Sequence, residues 1–445
     1  MAIVVTLAVV AGLGAWFAFS GSDTKHPKAS PTGSAARPTS GVAPGVSSPA
    51  TISLAQAWTV GGAGTGAASD AVRGGWAGNS KVFVVRASGV TMYDPATGAV
   101  NGEVALPSTL KTICNSMAKP AGGIGLVGWA GASGDCDSVS AVDLAEGTVL
   151  WTQQLEGVGA PWEMALSANE TEAVIGAGSF VFAYDLRTGS PLWTWQSPPT
   201  GALDDHWDVH DVLASPQSVA LTLQRADDAA NYVGAVASLD PTTGALRRQA
   251  ALADGPDSWP NLLSASPIIV FDQFRPAGSG GDRKGRIIVF DDALAPRTQL
   301  PGGDDGITVE QSNLLDGLNR YCGAVVVHGN VLYAAIGSAD DVRSVGAYDL
   351  TTGRRMWTKS TGVVGYPLPL SADDEGVLVL VGEDHGTDAE VLRMSAADGN
   401  LSTIHTLHGE DVTVDPAGLA YVLGDRVLLF NGSRSTPTIQ AFAVS

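Results

Sequence analysis

The string Asp204-Asp205-His206-Trp207-Asp208-Val209-His210-Asp211 is the densest run of chemistry-bearing side chains in the chain. On an extended strand successive side chains alternate sides, so His206, Asp208 and His210 would share one face. Two imidazoles and a carboxylate could take Zn2+ or another divalent ion. No second ligand set stands beside them in sequence, so a hydrogen-bonded polar segment is the competing reading and no metal is assigned. The acidic groups Asp304-Asp305, Asp340-Asp341, Asp373-Asp374-Glu375 and Glu383-Asp384 lack the D-x-[DN]-x-[DN]-G spacing of a calcium loop and read as solvated charge. His328, His405 and His408 are isolated. No G-x-S-x-G, H-E-x-x-H or Walker-type loop occurs, and no catalytic residue is assigned.

Cys114, Cys136 and Cys322 complete the reactive inventory. A separation of 22 residues within a hairpin-rich stretch fits a disulfide between neighbouring strands for Cys114 and Cys136, in an oxidising compartment. Cys322 has no counterpart at the equivalent spacing and reads as a buried free thiol.

The elements that must hold these residues are set by an internal repeat. A β-rich run ends in an apolar or aromatic residue and Asp, then three turn residues, then Gly. Intact copies are Tyr93-Asp94 to Gly98, Val142-Asp143 to Gly147, Tyr184-Asp185 to Gly189, Leu239-Asp240 to Gly244 and Tyr348-Asp349 to Gly353. Weaker copies sit at Phe290-Asp291, Met394-Ser395 to Gly399 and Phe430-Asn431-Gly432. Asp can accept hydrogen bonds from backbone N–H groups two and three residues on, and Gly supplies the positive φ that closes the hairpin. These markers are 36 to 58 residues apart, about one four-stranded propeller blade per repeat. Four residues beyond the Gly stands Trp-Thr, at Trp151, Trp193 and Trp357. A flat side chain at a fixed place in each repeat would dock one blade on the next.

The pattern YDxxTGxxxW resembles the repeat of PQQ-like β-propellers, from about Gln56 to the C-terminus. The resemblance implies an all-β fold: a single propeller of eight four-stranded antiparallel blades, with seven as the alternative. Trp58-Thr59 precedes every marker and is expected as the outer strand of the last blade, closing the ring. Quinoprotein dehydrogenases share this repeat, with a vicinal cysteine pair stacking on the cofactor and acidic or amide ligands for Ca2+. No two cysteines here are adjacent, so no cofactor is assigned and an enzyme is the least favoured reading.

Outside the repeat the chain changes character. Met1 to Phe19 carries no charge and no Pro, and its length suits one membrane span, so residues 1–20 read as a signal-anchor helix, with a cleaved signal peptide as the alternative. The nearest positive residues, Lys25 and Lys28, follow this run instead of preceding it, so a basic stub upstream is expected. Residues 21–55 are Ser, Thr, Pro, Gly and Ala with little to bury, and read as a disordered linker before a propeller at 56–445. The formal charge of −20 opposes phosphate backbones, so nucleic acid is not expected as a partner. The expected function is noncatalytic binding of a protein partner in the cell envelope, from an extracytoplasmic domain on a single-pass anchor, similar in repeat to BamB-like propellers. A sensory ectodomain, resembling propellers attached to bacterial receptor kinases, is the alternative.

Overall fold

Alternating apolar strands separated by Asp and Gly turns become four-stranded antiparallel sheets, repeated along the chain. The computed structural model describes residues 50–444, apart from 62–71, 79, 132–133, 159–163, 199–206, 227–231, 253–257, 275–283, 302–306, 308–324, 338–343, 363–364, 383–385, 413–418, 424–425 and 432–437. The described residues all lie in one unit, Ser48–Ser445. The expected membrane segment at 1–20 and most of the linker lie outside them, as do His206, Asp304, Asp305, Cys322, Asp340, Asp341, Glu383 and Asp384. No helix among the described residues is long and apolar enough to cross a membrane.

The strands group into quartets, numbered here I to VIII: 72–103, 112–154, 164–196, 208–251, 259–301, 325–360, 366–412, and 419–444 completed by Ala50–Gly61. Quartets I to VI are separate four-stranded sheets, and VII and VIII join into one sheet of eight strands. From I to VII the first strands of successive quartets touch, and the first strand of VIII touches that of I, so the series returns on itself. Such an all-β series of sheets is the architecture of a multi-bladed propeller.

Trp58 lies in the sheet of the C-terminal strands, as expected, but the strand that carries it does more than close a seam. Its first half, Ala50 to Ala55, pairs in parallel with Thr403 to His408 on the outer edge of VII. Its second half pairs antiparallel with the last strand, from Leu54 opposite Val444 to Gly61 opposite Thr438. The sheet therefore begins before the expected boundary at 56. The physical reason is in the linker's last residues: Leu54 is buried in the cluster with Leu407 and Phe442, so this end of the segment does have something to bury.

Seven of the eight expected markers fold as hairpin turns between third and fourth strands; the eighth, at Phe430-Asn431, instead ends the second strand of VIII, because Ala50–Gly61 and not a following hairpin supplies that quartet's fourth strand. Asp185 Oδ1 accepts the backbone N–H groups of Arg187 and Thr188 and the Thr188 hydroxyl. Asp94 and Asp240 repeat that pattern. Asp143 and Asp349 accept the two backbone groups. These bonds to the charged form hold the Asp94, Asp185, Asp240 and Asp349 carboxyls below the ordinary range, with Arg247 the largest cause at Asp240, which falls to about 2. In the Asp291 copy Leu294 takes the positive φ, at 56°, in place of Gly.

Each marker Trp docks on the turn of the following quartet. Trp151 Nε1–H donates to Leu186 O at 2.9 Å, Trp193 to Pro241 O at 2.7 Å and Trp357 to Ala396 O at 2.9 Å. Trp58 donates to Pro95 O at 3.0 Å, which places it as the equivalent residue for the quartet before I. The indole also lies over the marker Gly of that next turn: a Cβ on Gly189 would stand 2.5 Å from the Trp151 ring. The fourth strands of I, IV, V and VII have no Trp, and after I and V it is Met92 and Thr298 that fill the space beside Gly147 and Gly353.

Antiparallel order gives the molecule two unlike faces. Connections between strands one and two share a face with those between three and four, where the seven marker turns lie, and none of them is longer than the segment 117–123. At the opposite face strand two ends and strand three begins, and one quartet gives way to the next; the sequence between those strand ends includes the longer stretches 155–163, 197–207, 275–283 and 302–324. We call these the turn face and the loop face.

Candidate functional site

The first strand of quartet IV, Asp208–Ala214, begins at the loop face and carries the described part of the histidine string. Its register against Val219–Ala226 slips between Val209 and Asp211, so His210 is the extra residue of a β-bulge. The bulge breaks the simple alternation expected for His206, Asp208 and His210. It turns Asp211 inward, towards quartet V. Asp211 Oδ1 accepts the Val212 N–H at 2.8 Å, and Oδ2 accepts the Leu262 N–H of the next first strand at 3.0 Å. Burial outweighs those two bonds and pushes the Asp211 carboxyl up to about 7.

His210 keeps some solvent contact but is crowded by its neighbours, and burial pushes its imidazole down to about 4. It is therefore neutral near pH 7. Its Nε2–H donates to Asn261 Oδ1 at 3.1 Å, and Asn261 Nδ2–H donates to Trp259 O at 2.9 Å. The imidazole meets the Trp259 ring edge-on at 5.9 Å, and Tyr232 lies 5.0 Å from the same ring. Tyr232 is 40% exposed, so this aromatic group reaches the surface.

On the other side of quartet IV, Arg225 holds its guanidinium over the Trp207 ring at 5.1 Å. Trp207 itself packs with Trp193 and Trp195 against the cluster shared by III and IV. Beneath the IV–V junction lies a closed polar network. Arg286 donates through Nη2 and Nε to Asp272 Oδ2 at 2.8 and 3.1 Å, and Ser258 Oγ–H donates to Asp272 Oδ1 at 2.7 Å. Gln224 Nε2–H donates to Ser258 O, and the Phe274 ring lies 4.4 Å from the Arg286 guanidinium. A buried ion pair whose lone pairs and protons are filled in this way fixes geometry and leaves Asp272 engaged on both oxygens.

Cys114 and Cys136 form the expected disulfide, with Cα atoms 6.2 Å apart. Their strands, Thr112–Ser116 and Cys136–Asp143, are not neighbours, however: Ile124–Ala130 lies between them. Cys114 is itself a bulge residue, between Ile113 and Asn115, and the bridge crosses at the strand ends on the loop face. His210 occupies the same position in IV that Cys114 occupies in II.

Other sequence candidates separate. Asp373 and Glu375 lie at the turn face, where Asp373 accepts the Glu375 and Gly376 N–H groups and pairs with Arg393. They are at the opposite end of the sheets from Trp207 and His210 and do not join them in one surface. The hairpin between first and second strands requires this placement. Arg393 is the main cause that brings the Asp373 carboxyl down to about 2. His328 bonds Asp374 at 2.9 Å across VI and VII, and His408 bonds Asp388 at 2.7 Å within VII.

Among the described residues no three His, Cys, Asp or Glu side chains converge as a metal site. A quinone cofactor of the kind the repeat implies would need an adjacent cysteine pair and a cluster of oxygen ligands for Ca2+. Cys114 is committed to a cross-strand bridge with Cys136, and the described carboxylates are dispersed among turns and ion pairs. The described residues do not fit that group.

Sequence reasoning missed Asp211 and its counterpart Asn115, whose Nδ2–H donates to Met164 O of the next first strand. Both tie one first strand to the next from the residue after a bulge. The signal was present as Cys114-Asn115 and His210-Asp211 at matching places in two repeats. The pair Asp272 and Arg286 had no such marker, since 14 residues separate partners that only the hairpin brings together.

A family model described as outer membrane protein assembly factor BamB matches residues 86–275. No curated protein matches the chain. Among solved structures, BamB from Moraxella catarrhalis is 12% identical, with 88% of this chain and 99% of that one covered and a TM-score of 0.47. Quinohemoprotein alcohol dehydrogenases from Pseudomonas putida HK5 and Comamonas testosteroni are 12% and 13% identical, each covering 88% of this chain and 76% of its own, with TM-scores of 0.51. At such identities the likeness to the two dehydrogenases is one of fold. The strand order is that of a multi-bladed β-propeller, and residues 86–275 resemble the PQQ-like repeat.

Proposed function

We propose that the chain is a noncatalytic interaction propeller of eight blades, one per quartet, that docks a protein partner in the cell envelope on its loop face. In this reading the domain is extracytoplasmic and residues 1–20 anchor it in the membrane. The observation that carries the reading is the division of labour between the two faces. The markers and docking Trp residues occupy the turn face, while the longer connections and the part-exposed Trp207, His210, Tyr232 and Trp259 occupy the other. Loops on a rigid scaffold are where recognition is built without disturbing the core. The side chains present, aromatic with a polar edge and one stacked guanidinium, are those enriched at the centres of protein interfaces.

The test places a photo-cross-linking residue at Tyr232 or Asp208 on the loop face, and at Thr97 or Thr351 on the turn face. Specific adducts from the loop-face positions, weakened by Trp207→Ala, are expected. Adducts confined to the turn face would refute the reading. So would turnover of a small-molecule substrate by the purified protein, or a quinone retained through gel filtration.

A further inference from the structure

Lys and Arg are scarce in this acidic chain, 25 against 45 Asp and Glu, yet those on outermost strands all fall on one flank. The fourth, outermost strands of quartets IV, V and VI are Leu246–Ala251, Pro296–Pro301 and Arg354–Ser360. Together they carry Arg247, Arg248, Arg297, Arg354, Arg355 and Lys359, all exposed, and no acidic residue. The outer strands of I, II, III, VII and VIII carry no Lys or Arg at all. Arg247 is paired with the marker Asp240 at 2.6 Å. Arg248, Arg297 and Arg354 have no acidic partner among the described residues. In a body whose overall field repels anions, three consecutive quartets thus present an unneutralised cationic stripe.

The same strands are sheet edges. Each pairs only with the third strand of its own quartet, so its outer side presents unpaired backbone donors and acceptors. Quartet VII, next in the series, shows what such an edge accepts: Ala50 to Ala55 adds to it as a parallel strand. We propose that the flank of IV to VI binds an acidic, extended segment of a protein partner, by charge pairing with these arginines and strand addition to an outer edge. A lipid surface or a nucleic acid could use the charges but not the backbone edge. A large polyanion would also meet the acidic remainder of the molecule. This flank is separate from the loop face, and the proposal stands or falls independently of the docking site there.

The probe is a twelve-residue peptide alternating Glu with Val and Thr, measured by fluorescence anisotropy at about 0.15 M ionic strength, where only close charge pairs survive screening. Binding is expected, and R248E/R297E/R354E should weaken it roughly tenfold or more. On hydrogen exchange the peptide should protect backbone amides of at least one of the three outer strands. Trp207→Ala should leave peptide binding unchanged. The thermal transition of the triple variant checks its fold, and R248Q/R297Q/R354Q replaces it if that transition is lost. Absent peptide binding, equal binding by the variant, or binding without amide protection would each overturn the proposal. So would vesicles of phosphatidylglycerol, or single-stranded DNA, binding through these arginines where the peptide does not.

Discussion

Gly189 sits at φ 69° with the Trp151 ring where its Cβ would be, whereas Gly178 is also left-handed, at φ 54°, with nothing within 4 Å. The two positions separate backbone strain from docking. Gly178→Ala should cost about 1–2 kcal/mol, the left-handed penalty alone. Gly189→Ala should cost roughly 3–5 kcal/mol by chemical denaturation, because the indole must also leave its seat. Equal costs would show that Trp151 does not lock III to II. Asp211 and His210 give a second residue-scale test, through opposed titrations. The folded Asp211 carboxyl, raised to about 7, binds protons that the unfolded chain has released, so its contribution to stability falls as pH rises from about 4 to 7. The folded imidazole, lowered to about 4, contributes stability that is lost as pH falls from about 6.5. Asp211→Asn removes the first slope and keeps the second, so its stability should rise more steeply with pH across that window than the parent's. An unchanged slope would mean that Asp211 is ionised in the fold. Asp211 stood in the sequence's densest polar run, but its role was not legible there because one bulge decides which way it points. The marker Asp residues were legible because their partners lie two and three residues away.

At the scale of the element, the strand Ala50–Gly61 is the least ordinary part of the fold. The dipeptide Trp58-Thr59, standing before every marker, was enough to assign its second half to the last sheet. Its first half was hidden, because a parallel pairing with the outer edge of VII depends on where the ring brings that edge. Compositional reading saw only the small and polar residues before Gln56. The structure separates two truncations. A chain beginning at Ala50 should melt like the whole domain. One beginning at Gln56 loses the parallel pairing and buried Leu54, and should melt lower while remaining cooperative. A chain beginning at residue 62 also loses Trp58 and the outer strand of VIII, and should aggregate or lose its sharp transition. If the second and third behave like the first, the strand does not close the ring. The disulfide belongs to this scale as well, since it ties the first and third strands of one quartet. Cys114→Ser should cost about 3 kcal/mol for a loop of 22 residues. Thiol counting on unfolded, non-reduced protein should find one reactive group.

Across the whole molecule the repeat made the architecture readable, since seven markers recur at the same turn of successive quartets. The same regularity made function hard to read. The residues that the repeat specifies serve the turn face, and what distinguishes this propeller lies in segments that the repeat does not specify. Stability and recognition should therefore map to opposite faces, and insertions can test this directly. Four residues of Gly and Ser placed between Leu186 and Arg187 would separate Asp185 from the N–H groups it accepts and move the carbonyl that Trp151 bonds. That insertion should destabilise the domain by roughly 2–4 kcal/mol, from one turn and one docked indole. The same four residues inserted within 275–283, between the second and third strands of V, interrupt no marker and no described hydrogen bond, and lengthening a flexible connection costs only about 0.6 kcal/mol per doubling of length. That variant should melt like the parent but capture the partner at least about tenfold more weakly. The reverse pattern, with intact binding from the loop-face insertion and lost binding from the turn-face one at unchanged stability, would place recognition on the markers and overturn the assignment of the two faces.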